Sequence, residues 1–200
     1  GVRQGDCLSP RLFTAVLQDV FGRMDWTGKG IKVDGQFLNH LLFADDAVLI
    51  APSHLQIQEM VDEFERTLAD VGLKVNGSKT MAMSTSAGDV KVGGISVKVV
   101  PKVIYLGAQL CIDGDQSGEL QRRIRAGVFA FYKYRSFFCN RIVPMSQKKK
   151  LYHSAVQPAF TYASETWGVR KNTLSSIAVA QRRLERAMLG ITILDRRTNE

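Results

Sequence analysis

Hydrophobic residues recur at helical spacing near the start of the chain and again after position 53. The first helix is predicted to begin at Ser9-Pro10, with Ser9 as the N-cap and Pro10 at the first helical position. A second helix is predicted from Ser53, where Gln56 completes a capping-box pattern and Gly72 ends the helix. The apolar stripe of the first helix consists of Leu12, Phe13, Val16, Leu17, Val20, Phe21 and Met24.

Between these helices, two apolar runs at 37–43 and 47–51 flank the adjacent acids Asp45 and Asp46. This pattern predicts a β-hairpin with its tight turn at the acids. The alternative is one long buried helix, which would place two unpaired charges in an apolar stretch at high cost. A short strand is also predicted at 31–33.

Further short β-like runs follow at 81–84, 90–100 and 103–110, with Gly93-Gly94 as a turn. Residues 1–112 are therefore predicted to be α+β. From Ser117 onward the spacing is helical, with one helix over 145–157 that stops near Pro158 and another over 174–189. The domain boundary is predicted at 113–115. The inward residues of the helical part are Leu120, Ile124, Val128, Phe131, Ile177, Ala180, Leu184 and Met188.

Charge divides the chain at about the same place. The 200 residues carry a net charge of +8. Residues 1–120 hold 11 Lys/Arg and 15 Asp/Glu, whereas 121–200 hold 16 and 4, so that the halves carry −4 and +12. A basic segment of this kind favours a polyphosphate partner, although a solvated basic face without a ligand is the alternative. Its nucleic-acid-binding candidates are Arg122, Arg125, Arg182, Arg183 and Arg186.

Composition excludes several classes of protein. No apolar run approaches the roughly 20 residues that span a membrane. The three cysteines, Cys7, Cys111 and Cys139, are far apart. They exclude a disulfide framework and an obvious zinc site, and they favour a reducing, intracellular setting, nucleus or cytoplasm, over secretion. His40, His54 and His153 are dispersed, which favours core or surface positions over metal binding.

Two acids at a hairpin turn are suited to divalent-metal chemistry. Clustered carboxylates repel unless a cation neutralises them, and their hard oxygen atoms suit Mg²⁺, with Mn²⁺ as the substitute. Two such ions about 3.5–4 Å apart can activate an attacking hydroxyl and stabilise a leaving phosphate oxygen. The simpler interpretation of Asp45-Asp46 is a polar turn. The glycine-containing loop 1–6 before the first helix is a weak phosphate-site signal.

Four motifs in this order resemble the reverse transcriptases of non-LTR, LINE-like retrotransposons. They are G-V-R-Q-G-D-C-L-S-P at 1–10, F-A-D-D at 43–46, G-L-K-V-N-G-S-K-T at 72–80 and Y-L-G at 105–107. Y-A-S-E-T-W at 162–167 and the ending I-L-D-R-R-T-N-E at 193–200 are also similar to the end of such elements. The resemblance implies a partial right-hand polymerase palm over 1–112, followed by an all-α thumb and C-terminal extension over 113–200.

The resemblance also implies roles for individual residues. Asp45 and Asp46 match the metal-binding pair, and Lys79 matches a lysine near the nucleotide phosphates, where it is a candidate proton donor; a surface lysine is the alternative. The partners implied are an RNA template, a DNA primer or target, and a dNTP. The nucleotide-binding positions are Arg3, Gln4, Gly5, Ser9, Pro10, Phe43 and Ala44. The primer-binding hairpin is Tyr105, Leu106 and Gly107, for which a buried strand is the alternative, above all at Leu106.

Two departures from the family pattern qualify this prediction. Cys7 stands where the family usually has Pro, which changes the stiffness of the loop. The third catalytic carboxylate of the family lies on a strand before the first motif, and we expect the 200 residues to lack it, together with the fingers and the endonuclease. RNA-templated DNA synthesis by this chain alone is therefore expected to be weak. The alternatives are a non-catalytic RNA- or DNA-binding remnant and a purely structural remnant.

Two groups of side chains in the basic part have competing interpretations. The aromatic residues among Lys133 and Arg135 either stack on bases or, for most of them, form helix core. Lys148-Lys149-Lys150 is predicted to be a solvated run, with contact to phosphate as a further role. The aromatic residues concerned are Phe129, Phe131, Tyr132, Tyr134, Phe137 and Phe138.

Overall fold

The structure is a computed structural model that describes residues 5–85, 88–168, 171–192 and 195, with residues 171–174 described by their backbone alone. The chain divides into two compact units, Gly1–Pro101 and Lys102–Glu200. The division lies before the boundary predicted at 113–115, because a hairpin at 102–111 packs on the first helix of the second unit. The mixture of helices and strands agrees with the predicted α+β class.

The first unit contains two long helices and several short strands. Its helices are α1 (Ser9–Arg23) and α2 (His54–Asp70). Its strands are β1 (Ile31–Val33), β2 (Gln36–Leu38), β3 (His40–Phe43), β4 (Asp46–Leu49), β5 (Met81–Ala82), β6 (Lys91–Val92), β7 (Ile95–Ser96) and β8 (Lys98–Val99).

Most strands of this unit pair with the next strand along the chain. β1–β2, β3–β4 and β6–β7 are antiparallel hairpins, whereas β5 and β8 pair in parallel. Each described strand has one hydrogen-bonded neighbour, so the described strands form two-stranded pairs instead of the continuous antiparallel sheet that a palm implies. The predicted strand at 37–43 is also divided, since β2 pairs with β1 and β3 pairs with β4 on either side of Asn39.

The ends of α2 follow the sequence signals closely. The Ser53 side chain accepts a hydrogen bond from the Gln56 backbone N–H, as predicted for an N-cap. Gln56 does not complete a capping box, because its side chain bonds Gly28 and Gly30 instead. At the other end, Gly72 has φ +74° and the Leu73 N–H bonds the Leu68 carbonyl, which is a Schellman motif.

The start of α1 differs from the prediction. Leu8 is the N-cap, and Ser9 is a buried first-turn residue with Pro10 after it. The predicted N-cap at Ser9 is therefore wrong by one residue, and the Asp6 side chain accepts a hydrogen bond from the Leu8 N–H just before the helix. Leu12 and Val16 are exposed, so these two members of the predicted apolar stripe are outside the core, whereas Phe13 packs against it.

The main core of the first unit lies between α1 and α2. Its buried members are Leu17, Val20, Phe21, Met24, Phe64 and Leu68. Leu42 and Leu49 of the β3–β4 hairpin pack against this core. A smaller cluster of Val90, Val92 and Val97 packs against Ile57 and Val61 of α2. The hairpin is therefore anchored on the helices through its apolar base.

The second unit begins with a hairpin and continues as helices. The hairpin consists of β9 (Lys102–Tyr105) and β10 (Ala108–Cys111). The helices are α3 (Ser117–Lys133), α4 (Arg135–Phe138), α5 (Met145–Leu151), α6 (Gln157–Thr161) and α7 (Lys171–Leu189). A π-helical turn, Tyr152–Val156, joins α5 to α6, and a 3₁₀ turn, Ser164–Thr166, follows α6. None of the described helices is long and apolar enough to cross a membrane.

The helical core contains the predicted stripes of α3 and α7. Its buried members are Leu120, Phe131, Phe138, Tyr152, Val156, Phe160, Ile177 and Leu184. Burial raises the pKa of Tyr152 to about 12, and the Glu185 carboxylate adds to this effect. Gly127 lies where α3 meets α6, because a Cβ at this position would overlap the ring of Phe160.

One prediction about this unit is wrong, and another is confirmed only in part. The chain does not stop being helical near Pro158, because the π-helical turn precedes it and Pro158 lies at the start of α6, where no backbone N–H is required. In the predicted solvated run, Lys149 and Lys150 are exposed, whereas Lys148 is not solvated. It is 4% exposed, and its Nζ donates to the Met188 carbonyl at 3.3 Å.

Candidate active site and nucleic-acid interface

The adjacent acids lie at the tip of the β3–β4 hairpin. Phe43 pairs with Asp46, which leaves Ala44 and Asp45 as a two-residue loop. The hairpin prediction is thereby confirmed, and the long buried helix is excluded. Ala44 has φ +53°. A positive φ at the first loop position is typical of the tight turns that match the twist of a hairpin.

The base of this hairpin is half-buried and its tip is exposed. The His40 ring stacks on Trp26 with centroids 4.3 Å apart and lies 4.7 Å from the Phe21 ring. Burial lowers the pKa of His40, which keeps the ring neutral in this aromatic cluster. In contrast, Phe43 is 61% exposed and Ala44, Asp45 and Asp46 are all exposed. The tip is therefore open to a ligand while the base holds its position.

The two carboxylates have the donor chemistry that a hard divalent cation requires. No hydrogen bond or ion pair engages the side chain of Asp45 or Asp46 in the part of the chain that the structure describes. Their oxygen atoms are therefore available as ligands for Mg²⁺, which commonly takes one or two carboxylates and completes its shell with water and phosphate oxygen. Within the described ranges, no group of three or more His, Cys, Asp or Glu side chains could hold a metal ion.

The other predicted residues of the first unit lie in separate segments. Gly5 is exposed with φ +90°, Ser9 is buried in the first turn of α1, and Pro10 is exposed. Arg3 and Gln4 lie outside the described residues.

Lys79 is exposed in a turn closed by Asn76, whose backbone carbonyl accepts from the Lys79 N–H at 3.1 Å. No ion pair joins its ammonium group to Asp45 or Asp46 across the described residues. The structure therefore brings Phe43, Ala44 and the two acids together, and it does not pair Lys79 with them.

The Y-L-G motif forms the turn of the β9–β10 hairpin. Tyr105 pairs with Ala108, so Leu106 and Gly107 are the two loop residues, with φ +46° and +79°. Both values are typical of a hairpin turn of the primed class. Leu106 is 38% exposed, so the interpretation of this residue as a buried strand position is wrong.

Four side chains, here called the turn clamp (Glu119, Arg122, Arg123 and Tyr162), hold this turn. Three of them donate to its carbonyl groups, and Glu119 accepts from the two arginines. Arg122 Nη1 donates to the Gly107 carbonyl at 2.7 Å, and Arg123 donates to the same oxygen. The Tyr162 hydroxyl donates to the Leu106 carbonyl at 2.7 Å.

Glu119 joins the turn clamp to the adjoining strand. Its Oε1 accepts from Arg123 Nε at 2.5 Å, and its Oε2 accepts from the Gln109 backbone N–H at 2.8 Å. The Arg123 guanidinium also lies 4.8 Å from the centroid of the Tyr162 ring. Glu119 and Arg123 are 3% and 7% exposed, so this is a buried ion pair with further hydrogen bonds.

Sequence reasoning missed three members of the turn clamp. Glu119 with arginines three and four positions later is a helix-surface ion-pair pattern, and it gives no indication that all three side chains face a hairpin. Tyr162 was noted only as part of a terminal motif. Arg122 was predicted to bind nucleic acid, whereas its guanidinium is engaged by Gly107 and Glu119.

The remaining predicted arginines lie on α3 and α7. Arg125, Arg182 and Arg183 are exposed, and Arg186 is half-buried. On α7 they lie on the side away from Ile177 and Leu184, as the helical spacing predicted. These positions leave three guanidinium groups at the surface of the basic unit.

Comparisons with known proteins agree with the motifs. The profile of the family described as "Reverse transcriptase (RNA-dependent DNA polymerase)" matches residues 1–110. A putative uncharacterized transposon-derived protein of Caenorhabditis elegans is 32% identical over 177 residues, which are 85% of this chain and 63% of that protein.

Two retrotransposon polyproteins match shorter stretches. The retrovirus-related Pol polyprotein from type-2 retrotransposable element R2DM of Drosophila melanogaster is 39% identical over 79 residues, or 40% of this chain. The Pol polyprotein from type-1 retrotransposable element R2 of Nasonia vitripennis is 35% identical over 94 residues, or 46% of this chain. The chain spans 7% and 9% of the lengths of these two polyproteins.

Proposed function

The chain belongs to the reverse transcriptase family of LINE-like retrotransposable elements, and we propose that it carries part of an RNA-directed DNA polymerase site, with residues 1–112 as palm and 113–200 as thumb and C-terminal extension. The observation that carries the proposal is the β3–β4 hairpin, which is anchored at its base and presents two exposed carboxylates at its tip, where no other described residue bonds their side chains.

Asp45 and Asp46 would hold the divalent cations, Mg²⁺ or Mn²⁺. Metal ions bound there would act as Lewis acids that activate the primer hydroxyl and stabilise the leaving phosphate oxygen. The donor set supports this assignment, because both groups are carboxylates, both are exposed and neither is neutralised by a cationic side chain among the described residues.

The reaction is nucleotidyl transfer. The 3′-hydroxyl of the primer loses its proton to solvent water and its oxygen bonds to the α-phosphorus of a dNTP. The bond from that phosphorus to the bridging oxygen breaks, and pyrophosphate leaves. Lys79, exposed in its turn, is the proposed proton donor to the pyrophosphate. Ala44 beside the acids leaves room for the incoming nucleotide because its side chain is a single methyl group. Phe43, Arg3, Gln4, Gly5, Ser9 and Pro10 are proposed to position nucleotide and template.

The β9–β10 turn is proposed to hold the primer end. Tyr105, Leu106 and Gly107 are the contact residues, and the turn clamp holds the carbonyl groups of the last two in place. A fixed turn is what a primer-binding element requires, since positioning of the reacting groups supplies much of the rate in such reactions. Arg125, Arg182, Arg183 and Arg186 are proposed to bind the phosphate backbone.

Binding of a dNTP tests the proposal directly. We expect the chain to bind a fluorescent dNTP in Mg²⁺ and to lose that binding in EDTA. The substitutions Asp45→Asn and Asp46→Asn together should weaken binding about tenfold or more, because a phosphate-bound Mg²⁺ loses both protein ligands.

Asp34→Asn is the matched control, because Asp34 is an exposed aspartate in the turn of the neighbouring β1–β2 hairpin. Equal nucleotide binding by the wild-type chain and the Asp45/Asp46 double variant would overturn the polymerase assignment.

A nucleic-acid-binding role without catalysis is the second candidate. It is favoured because the described residues offer two carboxylates at the hairpin tip and no third metal ligand beside them. In this case RNA or DNA binding would persist, with a steep dependence on salt, while Mg²⁺-dependent nucleotide binding would be absent.

A further inference from the structure

The outward face of α3 carries aromatic and cationic side chains together. Arg125, Phe129, Tyr132 and Lys133 follow one another at intervals of four, three and one residues, so they share one side of the helix. All four are exposed, Phe129 at 75% and Tyr132 at 51%. With Arg135, which follows on α4, they are called here the aromatic–cationic face.

Packing of α3 leaves most of both rings exposed. Tyr132 makes one edge contact with the core, at 5.9 Å between the centroids of its ring and the Phe131 ring. Leu120 and Phe131 point into the helical core, with Ile124 and Val128 packed against it. A single exposed aromatic residue needs no explanation. Two exposed rings about one helical turn apart, between basic side chains, are instead typical of surfaces on which bases stack.

Charge restricts the kind of partner that fits this face. Residues 120–164 contain nine Lys or Arg residues and no Asp or Glu. The Arg135 guanidinium lies 5.7 Å from the centroid of the Tyr132 ring, so a planar cation already occupies one side of that ring. A partner for this face must therefore combine negative charge with flat, polarizable groups.

We propose that the aromatic–cationic face binds single-stranded nucleic acid. The rings of Phe129 and Tyr132 stack on unpaired bases, and Arg125, Lys133 and Arg135 contact the adjoining phosphates. A duplex is disfavoured as the occupant because its base faces are already stacked on one another. The proposal rests on the nucleic-acid binding proposed above for Arg125 and adds base stacking to it. It does not depend on catalysis at Asp45 and Asp46, since it concerns binding by the second unit.

The test replaces the rings while keeping apolar bulk. Phe129→Leu with Tyr132→Leu should weaken binding of fluorescein-labelled oligo(dT) and oligo(rU) of about 20 nucleotides about tenfold, and should leave the binding of a blunt duplex of equal length within about twofold. Tyr132→Phe should retain binding, because the ring remains. Phe37→Leu is the control, since Phe37 is an exposed phenylalanine in the first unit.

Salt dependence separates stacking from charge. The double leucine variant should keep the wild-type slope of log affinity against log salt, whereas Arg125→Gln should reduce that slope by about 0.7. Unchanged single-strand binding in the double variant would overturn the proposal and would leave a protein partner as the occupant of the face. Equal losses for single strand and duplex would also overturn it. The DNA and RNA arms show which single strand is preferred.

Discussion

At the scale of single residues, His40 anchors the candidate site without taking part in its chemistry. Its ring packs against the rings of Trp26 and Phe21 at the base of the β3–β4 hairpin, and its Nδ1 lies 2.8 Å from the Asn39 side-chain oxygen. This half-buried position beside the core falls within the two kinds of position, core or surface, that the dispersion of the histidines favoured. The same burial gives the first unit a dependence on pH.

The lowered pKa of His40 predicts that stability falls as the solution becomes acidic. The unfolded chain binds a proton near the ordinary pKa of 6.5, whereas the folded chain resists protonation. Stability is therefore fully present above about pH 6.5 and is lost as the pH falls through that value toward the lower folded pKa. Denaturant unfolding at a series of pH values measures this effect.

His40→Phe should remove most of that slope, because the ring stays and the titrating group does not. His153→Phe is the control, since His153 is exposed on the second unit. An unchanged slope in His40→Phe would show that other groups carry the dependence.

Residue-scale prediction from sequence succeeds where the partners are local. Ser53 caps α2 and Gly72 ends it because the groups they satisfy lie within a few positions along the chain. Gln56 has the right spacing for a capping box, yet its amide bonds a distant loop at Gly28–Gly30. Lys148 is buried, and its ammonium group donates a hydrogen bond to a backbone carbonyl of α7. Neither long-range partner is visible in the local sequence.

At the scale of elements, helix packing in the second unit depends on one glycine. Gly127→Ala should destabilise the fold by about 2 kcal/mol, because the new methyl group would overlap the fully buried Phe160 ring. The free energy of unfolding from denaturant titration measures the loss.

Gly22→Ala on α1 is the matched control. A Cβ there would have no atom within 4 Å, so helix propensity alone should stabilise the chain by about 0.5–1 kcal/mol. If Gly127→Ala were also stabilising, the contact between α3 and α6 would be looser than described.

The turn clamp makes a second prediction at this scale. Glu119→Gln should cost about 3 kcal/mol in unfolding free energy, because it leaves the buried Arg123 guanidinium without its counter-charge. Tyr162→Phe should cost about 1 kcal/mol for the lost hydrogen bond to Leu106.

Asp19→Asn provides the comparison for the clamp, since it breaks the exposed Arg23–Asp19 pair and should cost less than about 0.5 kcal/mol. Similar effects for Glu119 and Asp19 would contradict a buried, cooperative clamp. Backbone amide exchange at Leu106 and Gly107 reports whether the turn itself loosens.

The hairpins show how far element-scale prediction extends. The β3–β4 and β6–β7 turns follow from apolar runs around polar or glycine pairs, and both are confirmed. The division of 37–43 at Asn39 was not predicted, because it depends on β2 pairing back with β1. Likewise, the helices could be predicted to begin near 117, but not that they would bind the preceding hairpin through a buried carboxylate.

At the scale of the whole molecule, family membership was predicted more securely than any single site. Four short motifs in order identify the reverse transcriptase family, and the matched profile over 1–110 confirms it. The structure also departs from a complete palm, since its described strands pair two by two. Whether strands that are distant in the sequence join into one sheet cannot be inferred from alternation within one run.

Primer extension tests the proposal that two carboxylates do not complete the polymerase site. We expect the 200-residue chain to extend a DNA primer on an RNA template weakly or not at all, because a two-metal site commonly needs a third carboxylate. Product length on a sequencing gel measures synthesis. Efficient extension that Asp45→Asn abolishes and Asp34→Asn preserves would contradict this expectation.

Paramagnetic broadening by Mn²⁺ tests the assignment of the hairpin tip most directly, because it requires no turnover. In the wild-type chain, substoichiometric Mn²⁺ should broaden the backbone amide signals of residues 43–47 before those of other turns, and Asp34→Asn should leave that pattern unchanged. The double variant Asp45→Asn, Asp46→Asn should abolish it. Broadening that persists at 43–47 in the double variant, or that never occurs there in the wild-type chain, would contradict metal binding by these two carboxylates.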